Sequence, residues 1–176
     1  MPELITPTVR LHAAWLEARN EWGPGVHEDG FGLEPSDEVE SPAWFAAWAA
    51  RLHDEADPAK PLDVGRVHCT CRWIVEDDRV LGAIALRHKP NDFGHIGYGI
   101  RPSARRRGLA TWALGRILDE ARPLGLERVL VACATDNIAS AKTIERQGGV
   151  LEDIWETEHG AMRRYWINIP PTSLPS

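Results

Sequence analysis

Residues 95–122 read HIGYGIRPSARRRGLATWALGRILDEAR, and no other stretch restricts the fold as much. His95 to Ile100 has the short run and alternation of a strand, with Gly97 and Gly99 marking a bulge or a place of close approach. Pro102 and three consecutive arginines follow, and Gly108 then opens an apolar helical period that runs to Arg122, before Pro123 and Gly125. A strand that feeds a helix through a short turn implies an α/β layout, because the helix must pack back on its own sheet. At such a junction the first helical N–H groups have no intrahelical partner, and the helix dipole adds positive charge there. Arg105, Arg106 and Arg107 strengthen that field, and Gly108 removes a Cβ from the path of an anion. These residues predict a pyrophosphate cradle over 105–110.

The arginine turn is a local device, since the chain of 176 residues carries a formal charge of −6. Such a surface repels nucleic acid and anionic membranes, and no interleaved aromatics or wider basic stripe accompany the arginines. The G-x-x-x-x-G-K-[ST] loop of nucleoside-triphosphate binders is absent, and Gly97 and Gly99 supply only half of a dinucleotide fingerprint. No apolar run approaches membrane-spanning length and no signal-peptide pattern opens the chain, so a cytoplasmic protein is expected. The three cysteines, Cys69, Cys71 and Cys133, form no disulfide framework, which fits a reducing compartment. His68 to Cys71 reads HCTC, without a second ligand pair downstream, so no metal site is predicted.

The length suits one domain over residues 1–170, with a frayed tail at 171–176. Val9 to Trp22 has helical periodicity through Leu11, Trp15 and Ala18. A second helix is expected from Ser41 as cap and Pro42 at the first turn, with Trp44, Phe45, Trp48 and Leu52 at helical spacing. Between them Gly23 to Glu40 is a long loop with six carboxylates and no lysine or arginine, and a second polar loop covers Asp54 to Arg66. Residues 68–76 and 79–88 read as a hairpin about Asp77 and Asp78, followed by the strand 95–100 and the helix 108–122. A buried strand at 128–134, a helix at 137–149 and a closing hairpin turning near His159 and Gly160 complete the order.

Two of these motifs resemble one family, the GCN5-related N-acetyltransferases (GNAT). RRRGLA at 105–110 is similar to its R/Q-x-x-G-x-G/A acetyl-CoA loop, and IRP at 100–102 to the V-x-P before it. NIASAKTIERQGG at 137–149 resembles the family's N-x-x-A/S helix, and the wording around both motifs looks like an uncharacterised bacterial acetyltransferase subgroup. The element order fits over nearly the whole chain. The resemblance implies a mixed, mostly antiparallel sheet with splayed central strands flanked by helices. It also implies acetyl-CoA as acetyl donor, without a metal, and a primary amine of a small molecule or a protein as acceptor. By the same resemblance the main chain at Ile100 and Arg101 pairs with the pantetheine arm. Amides and side chains of Arg105, Arg106, Arg107, Gly108, Leu109 and Ala110 hold the pyrophosphate, and Asn137 and Ser140 contact the arm. Neither nucleic acid nor a membrane is an expected partner, whereas a second copy of the chain is consistent with the resemblance.

The catalytic groups are less legible. In many relatives a tyrosine seven residues after the motif asparagine protonates the thiolate; here that count reaches Ile144, and Gly149 replaces the usual aromatic. Counting back from the loop for a base reaches Gly94 or Ile96. Tyr98, on the same strand face as those two, His95 on the other face, and Tyr165 on the last strand are the remaining candidates. Glu28 and Asp29 in the acidic loop are candidates to orient a cationic acceptor. Two other functions compete: a non-catalytic acyl-CoA-binding regulatory domain, and an interaction module built on the tryptophan-rich N-terminal helices, whose Trp15, Trp44 and Trp48 are expected in the core.

Overall fold

The structure is a computed structural model that describes residues 1–23, 30–158 and 160–170. Its strands are β1 Glu3–Ile5, β2 Cys69–Glu76, β3 Arg79–Asn91, β4 Gly94–Ile100, β5 Arg128–Ala134, β6 Val150–Thr157 and β7 Gly160–Asn168. Its helices are α1 His12–Trp22, α2 Pro42–Glu55, α3 Leu109–Ala121 and α4 Ile138–Arg146. One sheet runs in the order β1-β2-β3-β4-β5-β7-β6. The ladders among β1 to β4, and those that join β5, β7 and β6, are antiparallel.

The expected layout holds, with local differences. β1 is too short to carry a periodic signal, and it forms because Leu4 and Ile5 pair with Ile74 and Trp73 at the sheet edge. Val9–Leu11 is a 3-10 turn that precedes α1, with the Thr8 hydroxyl accepting from the Arg10 N–H. Ser41 does stand at the N-cap of α2, yet its hydroxyl makes no capping bond; Pro42 sets the first turn instead. β3 extends to Asn91, with its pairing irregular between Leu86 and Asn91, where Pro90 cannot donate to a ladder.

The helices cover the sheet from both sides. On one face α1 and α2 bury Trp15, Phe45 and Trp48 against Trp73, with ring centroids 5.1 to 6.5 Å apart. Each such side chain contributes about 2–3 kcal/mol on burial. Trp44 departs from the expectation: it is 57% exposed, one position off the buried stripe. On the other face Leu109, Ala113, Leu114, Ile117 and Ala121 of α3, at helical spacing, pack on Ile84, Leu86, Ile96, Val129 and Val131.

The sheet opens between β4 and β5, which share one paired position, Gly94 opposite Val131. Gly94 sits at φ 93°, where a Cβ would run into the Leu130 carbonyl, so glycine is what lets the strands meet there. Next to it the Leu130 N–H donates to His95 Nδ1 at 2.9 Å, an imidazole doing the job of a ladder carbonyl. Beyond that staple the strands part.

A polar clamp fixes the far end of β4. The Arg101 guanidinium, buried, donates to Glu21 and Glu17 of α1 and to the Val80 carbonyl. Glu21 also accepts from the N–H and hydroxyl of Ser103, at 2.7 Å each. Partial burial alone would raise the Glu21 pKa, but the Ser103 N–H, Arg101 and the Ser103 hydroxyl outweigh it and hold the group at about 2. Glu21→Ala is expected to cost about 2 kcal/mol in urea unfolding at neutral pH, because Arg101 stays buried with a partner missing. Since the folded pKa lies below the ordinary 4.5, the wild-type advantage is full above that pH and shrinks as pH falls toward 2. An advantage independent of pH across that window would contradict this assignment.

Candidate active site

The opening between β4 and β5 is where chemistry can be built, because main-chain groups there have no ladder partner. The Arg101 N–H bonds to Leu81 O of β3 at 2.8 Å. Main-chain groups alternate sides along a strand, so those of Ile100 and Tyr98 face the opening. The Ile100 carbonyl, accordingly, accepts from Arg105 Nε at 3.0 Å. The expectation that Arg101 joins Ile100 in the cleft is therefore corrected. Its N–H belongs to β3 and its side chain to α1.

After β4 the chain makes a 3-10 turn at Pro102–Ala104 and then reverses through two residues at positive φ, Arg106 at 65° and Gly108 at 75°. Gly108 is the N-cap of α3, no side chain caps that end, and no carboxylate lies in its first turn. The Trp112 N–H opens the helical ladder at Gly108 O (3.0 Å), so the amides before it have no intrahelical partner. A Cβ on Gly108 would meet nothing within 4 Å. The glycine thus answers the backbone conformation and an open space in front of the helix, not crowding by the protein.

That space is a cleft of about 520 Å³, lined by Ile100, Arg105, Arg106, Gly108, Leu109 and Ala110 on one wall. Ile138, Ala139, Lys142, Thr143 and Arg146 of α4 line the other. An inner hollow of about 350 Å³ shares Ile100, Arg105, Ala110, Ala139 and Thr143 with it, and reaches Tyr98, Asn137 and Ser140. The Tyr98 hydroxyl lies 2.5 Å from Ser140 Oγ, spanning the opening from strand to helix. Asn137 caps α4 by accepting the Ser140 N–H at 3.1 Å, which fixes the serine on the first turn.

The structure thus brings together Tyr98, Ile100, Arg105, Arg106, Gly108, Leu109, Ala110, Asn137 and Ser140. Arg107 stands outside, paired with Glu76 at 2.7 Å. His95 is 5% exposed and is the β4–β5 staple, with burial first and then the Arg87 charge pushing its pKa below the ordinary value. Tyr165 is 1% exposed, packs in the core under α4 and donates to Glu145 at 3.3 Å. Neither lines the cleft. Glu28 and Asp29 lie outside the described residues. Of the same loop, Asp37 and Glu34 pair with Arg51 and Arg66, and Glu40 with Arg19, so these carboxylates serve the framework.

Ile144, the position that the tyrosine count reaches, is fully buried in the α3–α4 core. A Cβ on Gly149 would come within 2.5 Å of Ile144 Cγ2, which explains the absence of an aromatic there. Lys142 and Arg146 escaped the sequence reading. Their signal is the four-residue step from Ile138, which marks one helix face but not what it faces. Among the described residues no group of three or more His, Cys, Asp or Glu could hold a metal ion, and no helix is long and apolar enough to cross a membrane.

A family model for the acetyltransferase (GNAT) domain matches residues 9–150. The chain belongs to the GNAT family. No curated protein matches this GNAT chain in sequence. Among solved structures, the ribosomal L7/L12 alpha-N-protein acetyltransferase RimL in complex with coenzyme A is similar at TM-score 0.71 and 16% identity, covering 96% of this chain and 94% of that one. Mycobacterium smegmatis RimJ with CoA-disulfide gives 0.70 and 19%, over 95% and 81%. The Microcin C7 self immunity acetyltransferase MccE, in complex with acetyl-CoA and AMP, gives 0.69 and 15%, over 96% and 92%. At these identities the likeness is one of GNAT fold.

Proposed function

We propose that this protein transfers the acetyl group of acetyl-CoA to a primary amine of a small molecule or a protein. The observation that carries the reading is one continuous cleft with an anion cradle at its outer end and the Tyr98–Ser140 hydroxyl pair at its inner end. The residues fit the donor. The free amides at the start of α3, with Arg105 and Arg106, suit a pyrophosphate. Ile100 and Tyr98 offer strand-like main-chain groups to an amide-bearing arm. Solved GNAT structures similar in fold hold acetyl-CoA, which supports that donor.

Each residue then has a defined task. The cradle anchors the donor and sets how deep its thioester reaches. A main-chain N–H of β4 at the inner end polarises the thioester carbonyl as the amine adds to it. The departing thiolate takes a proton from the Tyr98–Ser140 hydroxyl pair, which Asn137 holds in place, and the proton shed by the acylated nitrogen restores the pair through water. Among the described residues the lining of both parts of the cleft includes no carboxylate or histidine, and in this reading the ammonium proton of the acceptor leaves through water.

The regulatory alternative draws on the missing tyrosine at 144, but the phenol of Tyr98 stands in the inner hollow where an acid is needed. A protein acceptor is supported by a Salmonella typhimurium acetyltransferase of similar fold, described as modifying the N-terminal serine of ribosomal protein L7/L12. Thiol release from acetyl-CoA, followed against small polyamines, lysine peptides and peptides with free N-termini, tests the reading. One acceptor class should give saturable turnover. Saturable binding of acetyl-CoA without turnover in any class would favour the regulatory domain.

A further inference from the structure

Among the described residues four cations face the outer cleft, Arg105 and Arg106 from the turn and Lys142 and Arg146 from α4, and no carboxylate lines it. Among the described residues none of the four forms an ion pair. Arg51, Arg66, Arg72, Arg101, Arg107 and Arg164, by contrast, are each matched with a carboxylate. In a chain of net charge −6, four unmatched cations around one concavity point to a ligand with more than one anionic group.

The two pairs belong to different elements and to different tasks. Arg105 and Arg106 share their wall with Gly108 and the open amides of α3, a set complete for a pyrophosphate. Lys142 and Arg146 stand across the cleft, one turn apart on α4, with about 6 Å of helix between them. Along the cleft the chemistry runs in one direction. Hydroxyls at Tyr98 and Ser140 give way to the apolar Ile100, Ala139 and Ile138, and then to Lys142 and Arg146. Coenzyme A has the same order, from thioester through pantetheine to phosphates, and its remaining anion beside the pyrophosphate is the 3′-phosphate of the ribose.

We infer that Lys142 and Arg146 hold this 3′-phosphate and make the site selective for coenzyme A over dephospho-coenzyme A. The inference rests on the acetyl-CoA reading above and assigns specificity to two residues of that site. A charge-assisted contact of this kind changes affinity by about tenfold to a hundredfold.

The test is titration calorimetry of coenzyme A and dephospho-coenzyme A with three proteins: wild type, Lys142→Ala/Arg146→Ala and Arg106→Ala. Both α4 side chains are exposed, so the double variant is expected to fold. Wild type should prefer coenzyme A by at least about tenfold, and the double variant should lose that preference by weakening only for coenzyme A. Arg106→Ala should weaken both ligands alike. Equal affinity of wild type for the two ligands, or equal weakening of both by the double variant, overturns the inference and leaves the donor reading standing. Binding of neither ligand by wild type overturns both.

Discussion

Gly108→Asp is expected to raise the dissociation constant for acetyl-CoA by about a hundredfold or more while leaving the protein folded. The two halves of that outcome come from the same geometry. A side chain at 108 meets nothing within 4 Å, aspartate tolerates the left-handed region, and an acidic N-cap suits the start of a helix. The conformational cost at φ 75° is about 1 kcal/mol, small enough to leave the fold intact. The carboxylate, however, occupies the space in front of the α3 amides that the pyrophosphate requires. Arg106→Ala should be milder, about two- to fivefold, because that exposed arginine is one of several contributors to the field. Calorimetry and urea unfolding of the same samples check both halves. A folded Gly108→Asp protein with wild-type affinity would move the donor site elsewhere.

Tyr98→Phe is expected to lower kcat by about a hundredfold with little change in the dissociation constant for acetyl-CoA. The phenol is only half-buried, and its ring packs against the α3–α4 core, so phenylalanine keeps the packing and removes the hydroxyl. Ser140→Ala removes the other member of the pair 2.5 Å away. If the two act as one proton donor, the double variant should lose little more than the worse single one. Multiplying losses would mean that the hydroxyls act separately, and an unchanged kcat in Tyr98→Phe would remove the tyrosine from the reaction.

The cleft wall to which the donor is assigned in this proposal was legible in the sequence because its signals are local. The strand, the arginine turn, Gly108 and the helix lie within one short stretch, and Asn137 announces itself as a cap three residues before the amide that it accepts. The catalytic side was not, because its parts meet only across the opened sheet. Tyr98 and Ser140 are far apart in the chain, and nothing in either neighbourhood shows that their oxygens converge. The place of His95 is hidden for a related reason: its partner is a main-chain N–H on β5, and sequence patterns carry no record of where a ladder is interrupted. Arg101 stands beside Ile100 in the sequence, yet its main-chain N–H bonds to β3, and Glu17 and Glu21, far upstream on α1, claim its guanidinium. Of the fold itself, the long periodic elements were readable, whereas β1 depends on a neighbour at Ile74 and Trp73 rather than on its own three residues.

The central claim, that the cleft between β4 and β5 moves an acetyl group from acetyl-CoA to an amine, is tested most directly by following the acetyl group. Acetyl-CoA with an isotopically labelled acetyl is incubated with the amine panel, and products are identified by mass spectrometry beside the amount of thiol released. The account predicts label on an acceptor nitrogen in proportion to released thiol with wild type, and none with Gly108→Asp. Label recovered as free acetate, or labelled amine formed equally well by Gly108→Asp, would contradict it.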